Sequence, residues 1–144
     1  MAESLNPTFL NLLLSALPES AVLRSPDERR PYECDGLSGY RRLPGVVVLP
    51  DTLEQVRSVM ELCQAYSVPV VARGAGTGLS GGATPHPEGV LLSMARFNRI
   101  LSVDRLACTA RVQPGVRNLA ISEAVAAHGL YYAPDPSSQV ACTI

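Results

Sequence analysis

Ten residues constrain this chain more than any others: Arg73 to Gly82, RGAGTGLSGG, which carry five glycines and directly follow the apolar run VPVVA (Val68 to Ala72). Glycine loses more backbone entropy on folding than any other residue. Such density is tolerated where the chain must turn with φ > 0 or approach another group closely. Successive N–H groups in turns of this kind converge on a concavity that binds anions. Each charge-assisted bond from such an N–H to a phosphate contributes roughly 1.5–3 kcal/mol, so a few of them hold a pyrophosphate. A mobile glycine linker is the bland alternative, but flexible linkers seldom follow a buried strand this closely.

Three named motifs compete for the loop, and their context separates them. GTGLSG (Gly76 to Gly81) satisfies GxGxxG, yet that dinucleotide fingerprint must open a helix whose N-terminus faces the pyrophosphate. Here Gly82, Pro85 and Pro87 follow, and no helix can start. A Walker A loop ends in Gly-Lys-Ser/Thr, whereas this one ends Gly81-Gly82-Ala83. GLSGG (Gly78 to Gly82) satisfies GxSxG, with Asp104 and His128 following in the order of an α/β-hydrolase triad. A nucleophile elbow is a tight strand-to-helix turn, and Ser80 lies eight positions past Ala72 with no helix after it. The hydrolase reading stays behind the phosphate-binding one, as the rival chemistry for this loop.

The flanking segments set the fold class as α/β, or α+β. GVVVLP (Gly45 to Pro50) is a short continuous apolar run, the signature of a strand buried on both faces. Thr52 and Gln55 form a capping-box pair opening a helix, and Val56, Val59, Met60 and Cys63 line one of its faces. VPVVA is read as a second buried strand, so strand, helix and strand make a βαβ unit with parallel strands. GVLLSM (Gly89 to Met94) supplies a third strand. RILSVD (Arg99 to Asp104) and CTARVQ (Cys108 to Gln113) are β-rich runs with a three-residue joint, which predicts an antiparallel hairpin. A helix is predicted from about Val116 to His128, with Gly129 at its C′ position.

Ahead of these lie an amphipathic helix with N-cap Asn6, Pro7 in its first turn and Leu10, Leu13, Leu14 and Leu17 on one stripe, stopped at Pro18. Arg24 to Pro44, rich in charge, Pro and Gly, reads as an irregular connector. Residues 1–39 are thus a helix and connector, and 40–144 the main domain. Twelve basic against 13 acidic residues give a net charge of −1, which supports neither nucleic acid nor anionic lipid as a partner. Phe9 to Leu17 is too short and too interrupted for a transmembrane segment. Glu3, with no basic residue before the apolar stretch, argues against a secretory leader. Cys34, Cys63, Cys108 and Cys142 are widely spaced, unlike zinc ligands. They read as reduced, mostly structural thiols in a cytoplasmic protein.

RGAGTGLSGG, VLLSMARFNRILSVD, ARVQPGVRNLAISEAVA and YYAPDPSSQVACTI together resemble the PCMH-type FAD-binding domain of the vanillyl-alcohol-oxidase flavoprotein superfamily. Within it they are most similar to the flavoprotein subunits of bacterial glycolate oxidases. The resemblance runs from about Tyr40 to Ile144, with four separated motifs in the family's order. It implies a small parallel βαβ layer followed by an antiparallel sheet, with FAD lying between the two. Arg73, Gly74, Ala75, Gly76, Thr77, Gly78, Leu79, Ser80, Gly81 and Gly82 then wrap the FAD pyrophosphate. Pro114 and Gly115 resemble the turn near the flavin. Pro136, Ser137 and Ser138, with Cys142, Thr143 and Ile144, resemble a second FAD-contacting segment. The family continues from there into Gly-Gly-Asn and a substrate domain bearing catalytic histidines and metal ligands, so the chain is expected to be an N-terminal fragment.

The same resemblance implies a dehydrogenase oxidising glycolate or another D-2-hydroxy acid, with electrons passed to a respiratory acceptor. Its partners would be iron–sulfur and second flavin-type subunits of one complex, and its place cytoplasmic, at the inner membrane through those subunits. The alternative is a non-catalytic FAD-binding or assembly subunit. Arg73 to Gly82 contains neither His nor Cys, so the FAD is expected to be non-covalent. Arg73 is placed to meet a phosphate oxygen or to form a structural ion pair. His128 is read as meeting a helix dipole, His86 as an exposed loop residue, and no residue as a general base or metal ligand.

Overall fold

The computed structural model describes residues 5–144, so Glu3, which bears on the leader question, lies outside them. Two sheets organise the chain. The larger has four strands, β1 (Val22–Leu23), β2 (Val46–Val48), β3 (Val70–Arg73) and β4 (Val90–Ser93), in the spatial order β1-β2-β4-β3. β2, β4 and β3 run parallel, and β1 pairs antiparallel with β2. The smaller sheet is the hairpin of β5 (Ile100–Asp104) and β6 (Thr109–Val112).

The unbroken apolar runs end up where both faces are covered. Val46, Val47, Val48 and Leu91 are wholly buried, with Val90 and Leu92 nearly so. Val46, Val48, Val90 and Leu92 join one core with Phe9, Leu13, Leu17, Val59 and Cys63, from α1 (Pro7–Ala16), the residue that follows it, and α3 (Leu53–Ala65). Val47 and Leu91 alternate to the opposite face and are buried as well. Helices α1 and α3 start where their caps predict. Asn6 Oδ1 accepts from Thr8 N at 2.8 Å, with Pro7 in the first turn, and Thr52 Oγ1 accepts from Gln55 N at 3.2 Å. The reciprocal arm differs from a capping box: Gln55 Oε1 accepts from Asp51 N, one residue ahead of the cap. Met60, predicted on the buried face of α3, is exposed, while Val59 and Cys63 are buried.

Three readings of the sequence need correction. The VPVVA strand is an edge strand of half-exposed residues and does not neighbour β2, because β4 lies between them. Apolar composition identifies a strand but not its place in the sheet, and β4, the more apolar, takes the centre. The Arg24–Pro44 connector is partly ordered. α2 (Pro26–Arg29) carries a complete Ser25–Glu28 capping box, and Arg29 Nη1 donates to Pro44 O and Gly45 O at 2.6 and 2.7 Å. The helix predicted from Val116 is α4 (Asn118–Val125) continued by a 3₁₀ turn to His128, with Gly129 left-handed at φ 69° as expected.

The hairpin joint is closed by Asp104, whose Oδ1 accepts from Leu106 N and Ala107 N, both at 2.9 Å. Residues 130–144 form no long element. They lie against the start of α4, where Asn118 N donates to Cys142 O and Leu119 N to Gln139 O. Ile144 N returns to Val116 O at 3.1 Å, and Thr143 bridges to Arg117. The first N–H groups of α4 are therefore satisfied by this chain's own carbonyls.

Candidate functional site

Three segments distant in sequence meet where β3 ends. The glycine loop leaves β3 at Arg73, the turn after β6 brings Pro114 and Gly115, and the last residues bring Thr143 and Ile144. They line two adjoining cavities that share Gly74, Ala75 and Thr143. The first, of about 440 Å³, is bounded by Arg73 to Gly78, Met94, Pro114 and Ile144. The second, of about 470 Å³, continues past Asn98, Ile100, Gly115, Arg117 and Ala120. The site therefore lies between the two sheets, at the carboxyl ends of the parallel strands, where open α/β sheets place their ligands.

Glycine is required here for stated reasons. A Cβ on Gly74 would overlap Thr143 Oγ1, and one on Gly115 would overlap Met94 O. Gly76 holds φ +73° beneath the Arg73 guanidinium, and Gly81 holds φ +76°. Within the loop Ala75 N donates to Thr143 Oγ1 at 3.2 Å, which ties the first glycines to the chain's last residues. Among the described residues, the N–H groups of Gly76 to Gly82 meet no protein acceptor. A run of unsatisfied donors in a glycine concavity fits a diphosphate. The residues lining the two cavities include the cations Arg73 and Arg117 and, among the described residues, no Asp, Glu or His.

The sequence-predicted residues divide on this geometry. Arg73, Gly74, Ala75, Gly76, Thr77, Gly78, Pro114, Gly115, Thr143 and Ile144 come together around the cavities. Leu79, Ser80, Gly81 and Gly82 continue the loop without lining them, and Leu79 is 73 % exposed. Pro136, Ser137 and Ser138 form a turn beside the start of α4, in which Ser138 O accepts from Ala141 N and Cys142 N. Cys142 touches the arrangement through its carbonyl, which holds Asn118 N. Among the described residues Arg73 forms no ion pair, and it is not an open cationic arm: its Nη1 donates to Cys34 O at 2.6 Å, and its guanidinium lies 5.6 Å from the Tyr32 ring centroid. Tyr32 to Leu37, which the sequence reading passed over, thus flanks the loop. Its signal was the Asp35–Gly36 pair, a turn dipeptide in a segment read as irregular.

Asp104 and His128 line a separate concavity with Ser102, Arg105 and Leu106, and Ser80 is not part of it. Ser80, Asp104 and His128 therefore form no triad, and Asp104 Oδ1 is taken by two hairpin N–H groups. His86 is a turn residue whose Nδ1 accepts from Glu88 N.

Residues 44–144 match the family described as FAD binding domain. The chain is similar to the glycolate oxidase subunit GlcD of Escherichia coli (strain K12), at 59 % identity over 95 % of this chain and 28 % of that protein. It is also similar to the subunit of the same name in Bacillus subtilis (strain 168), at 39 % identity over 78 % of this chain and 24 % of that one. It spans under a third of the length of either. Among solved structures, alkyldihydroxyacetonephosphate synthase superposes with a TM-score of 0.82 at 23 % identity, covering 98 % of this chain and 31 % of that one, a likeness of fold. With a family match over residues 44–144, and a glycine cradle where that family's name requires a nucleotide, the chain belongs to the FAD binding domain family, and its cofactor is FAD.

Proposed function

We propose that this chain is the cofactor-holding part of a flavin-dependent dehydrogenase that oxidises glycolate or a related D-2-hydroxy acid and passes electrons to a respiratory acceptor. The observation that carries this reading is the junction of the Arg73–Gly78 cradle with Pro114, Gly115 and Thr143 around two joined cavities. Similarity to proteins named glycolate oxidase subunits supports the substrate class. Residues 40–144 would form the FAD-binding unit, and residues 1–39 a helix and connector completing its sheet.

When bound, FAD supplies the two-electron chemistry, and the protein binds and orients it. In this reading the N–H groups of Gly76, Thr77 and Gly78 hold the pyrophosphate. Arg117 would add positive charge further along, and Gly115, whose missing side chain makes room for Met94 O, would hold the turn at the flavin end of the site. Leu79 to Gly82, Pro136 to Ser138 and Cys142 would act by shaping these segments. Because no carboxylate or imidazole lines the cavities among the described residues, the group that accepts the substrate proton would come from outside them. No helix among these residues is long and apolar enough to cross a membrane. Association with iron–sulfur and second flavin-type subunits would then account for electron transfer at the inner membrane from a cytoplasmic position.

The test uses the intact protein in its complex. Glycolate-dependent dye reduction is expected, and acid precipitation should release all yellow colour into the supernatant as FAD. Flavin retained on the denatured polypeptide would refute non-covalent binding. Bound FAD without turnover of any short D-2-hydroxy acid would favour an assembly subunit instead.

A further inference from the structure

The glycine loop is backed along its length by a short segment of the connector, and three contacts define the backing. At the loop's start, Arg73 Nη1 donates to Cys34 O at 2.6 Å, with the guanidinium also over the Tyr32 ring. Just past its end, Ala83 N donates to Asp35 Oδ2 at 3.4 Å, while Asp35 Oδ1 accepts from Leu37 N at 2.9 Å. Asp35 is one of three polar or charged residues buried among the described residues, at 5 % exposure. In the middle, the carbonyl oxygens of Thr77 and Gly78 face Gly36 so closely that a Cβ there would lie 2.7 and 2.8 Å from them.

That middle contact fixes the polarity of the loop. No peptide bond among the described residues is cis, and a trans peptide points its N–H opposite its C=O. With the Thr77 and Gly78 carbonyls turned toward Gly36, the N–H groups of Gly78 and Leu79 are turned to the other side. An anion can be held only by a loop whose donors face it together. Five glycines would otherwise let these peptides flip.

We propose that Tyr32–Gly36 is a strap that presents the loop's N–H groups to the cofactor's diphosphate, and that Arg73, Asp35 and Gly36 are positioning residues for that site. The strap deepens the reading of the loop as an FAD cradle and rests on it. Arg73 acts by reaching over Gly76 to the strap, and Gly36 by having no side chain.

The experiment titrates FAD against the cofactor-free full-length protein and its Gly36→Ala, Asp35→Asn and Arg73→Lys variants, with circular dichroism and thermal midpoint as checks on the fold. A second measurement follows subtilisin cleavage between residues 73 and 84 without cofactor. Gly36→Ala should weaken FAD binding about tenfold or more, as losing one charge-assisted bond would, and should speed cleavage several-fold. Arg73→Lys should lose as much, because an ammonium cannot both reach Cys34 O and stack on Tyr32. Were Arg73 a phosphate ligand instead, the lysine would keep most of the affinity and Gly36→Ala would bind like wild type. That pattern, with unchanged cleavage, overturns the strap. Should the wild type fail to bind FAD, the cradle reading falls and cleavage alone decides the strap. If Gly36→Ala does not fold, Asp35→Asn and Tyr32→Leu carry the same decision.

Discussion

Gly76 shows how much one position can demand. Its φ of +73° lies in the left-handed region, and the Arg73 guanidinium fills the space a side chain would take. A β-branched residue there is strained by about 1–3 kcal/mol and would also push Arg73 off Cys34. Gly76→Val should therefore abolish retention of FAD through a desalting column. Ser80→Ala, which removes a hydroxyl that has no hydrogen-bond partner among the described residues and is exposed, should retain it fully. Loss of flavin in both variants, or in neither, would contradict this assignment of the loop. Cys63 offers a pH test of the core. Burial raises its thiol pKa from the ordinary value of 9.0 to about 11. The folded state thus holds this proton where the unfolded chain releases it, so the stabilisation is complete below pH 9.0 and lost as pH rises to about 11. The chain contains no lysine, whose ionisation would overlap this window. Urea midpoints should fall across this window in wild type and fall less in Cys63→Ala. Equal losses would show that Cys63 ionises freely in the folded protein.

At the level of elements, signals with a local cause were readable and placements with a tertiary cause were not. The caps of α1 and α3, the Gly129 stop and the hairpin each depend on residues a few positions apart, and each stands where the sequence put it. β1 has two residues and α2 a single turn, too short for any periodicity to register. The edge position of β3 depends on which strand β4 joins, and nothing inside VPVVA encodes that. The same division holds at the site: the glycine loop was legible, but Tyr32–Leu37 serves it through contacts 39 and 48 residues apart in sequence. Two substitutions test the elements. Thr52→Ala removes the α3 cap and should cost about 1 kcal/mol, read as a lower urea midpoint at unchanged slope. Leu13→Ala opens a cavity where α1 meets the sheet, and should cost about 2–5 kcal/mol. A cost near zero for Leu13→Ala would mean that α1 is an appendage to residues 40–144.

Across the whole molecule, order is unevenly supported. The four-stranded sheet has its central strands buried and helices α1 and α3 against it, whereas β5 and β6, among the described residues, pair only with each other. Isolated two-stranded hairpins are marginal in water, and an unpaired edge invites association with another chain. Leu101 on β5 is 50 % exposed, Leu106 in its turn 99 %, and Tyr131 and Val140 beyond α4 are 77 % and 63 % exposed. The 144 residues on their own should therefore behave as two unequal parts. Amides of β5 and β6 should exchange with solvent far faster than those of β2 and β4, because opening the hairpin uncovers little apolar surface. The cavities between the two sheets would then hold FAD weakly, one wall being loosely held, and glycolate would not be turned over. The same exposed leucines should make the chain self-associate as concentration rises. Leu101→Lys combined with Leu106→Glu should reduce that association without moving the urea midpoint of the larger sheet. Sedimentation and amide exchange read these outcomes directly. A chain that stays monomeric, protects its hairpin as well as its central strands and oxidises glycolate would refute the division into a firm sheet and an open hairpin, and would put the reacting groups inside these 144 residues.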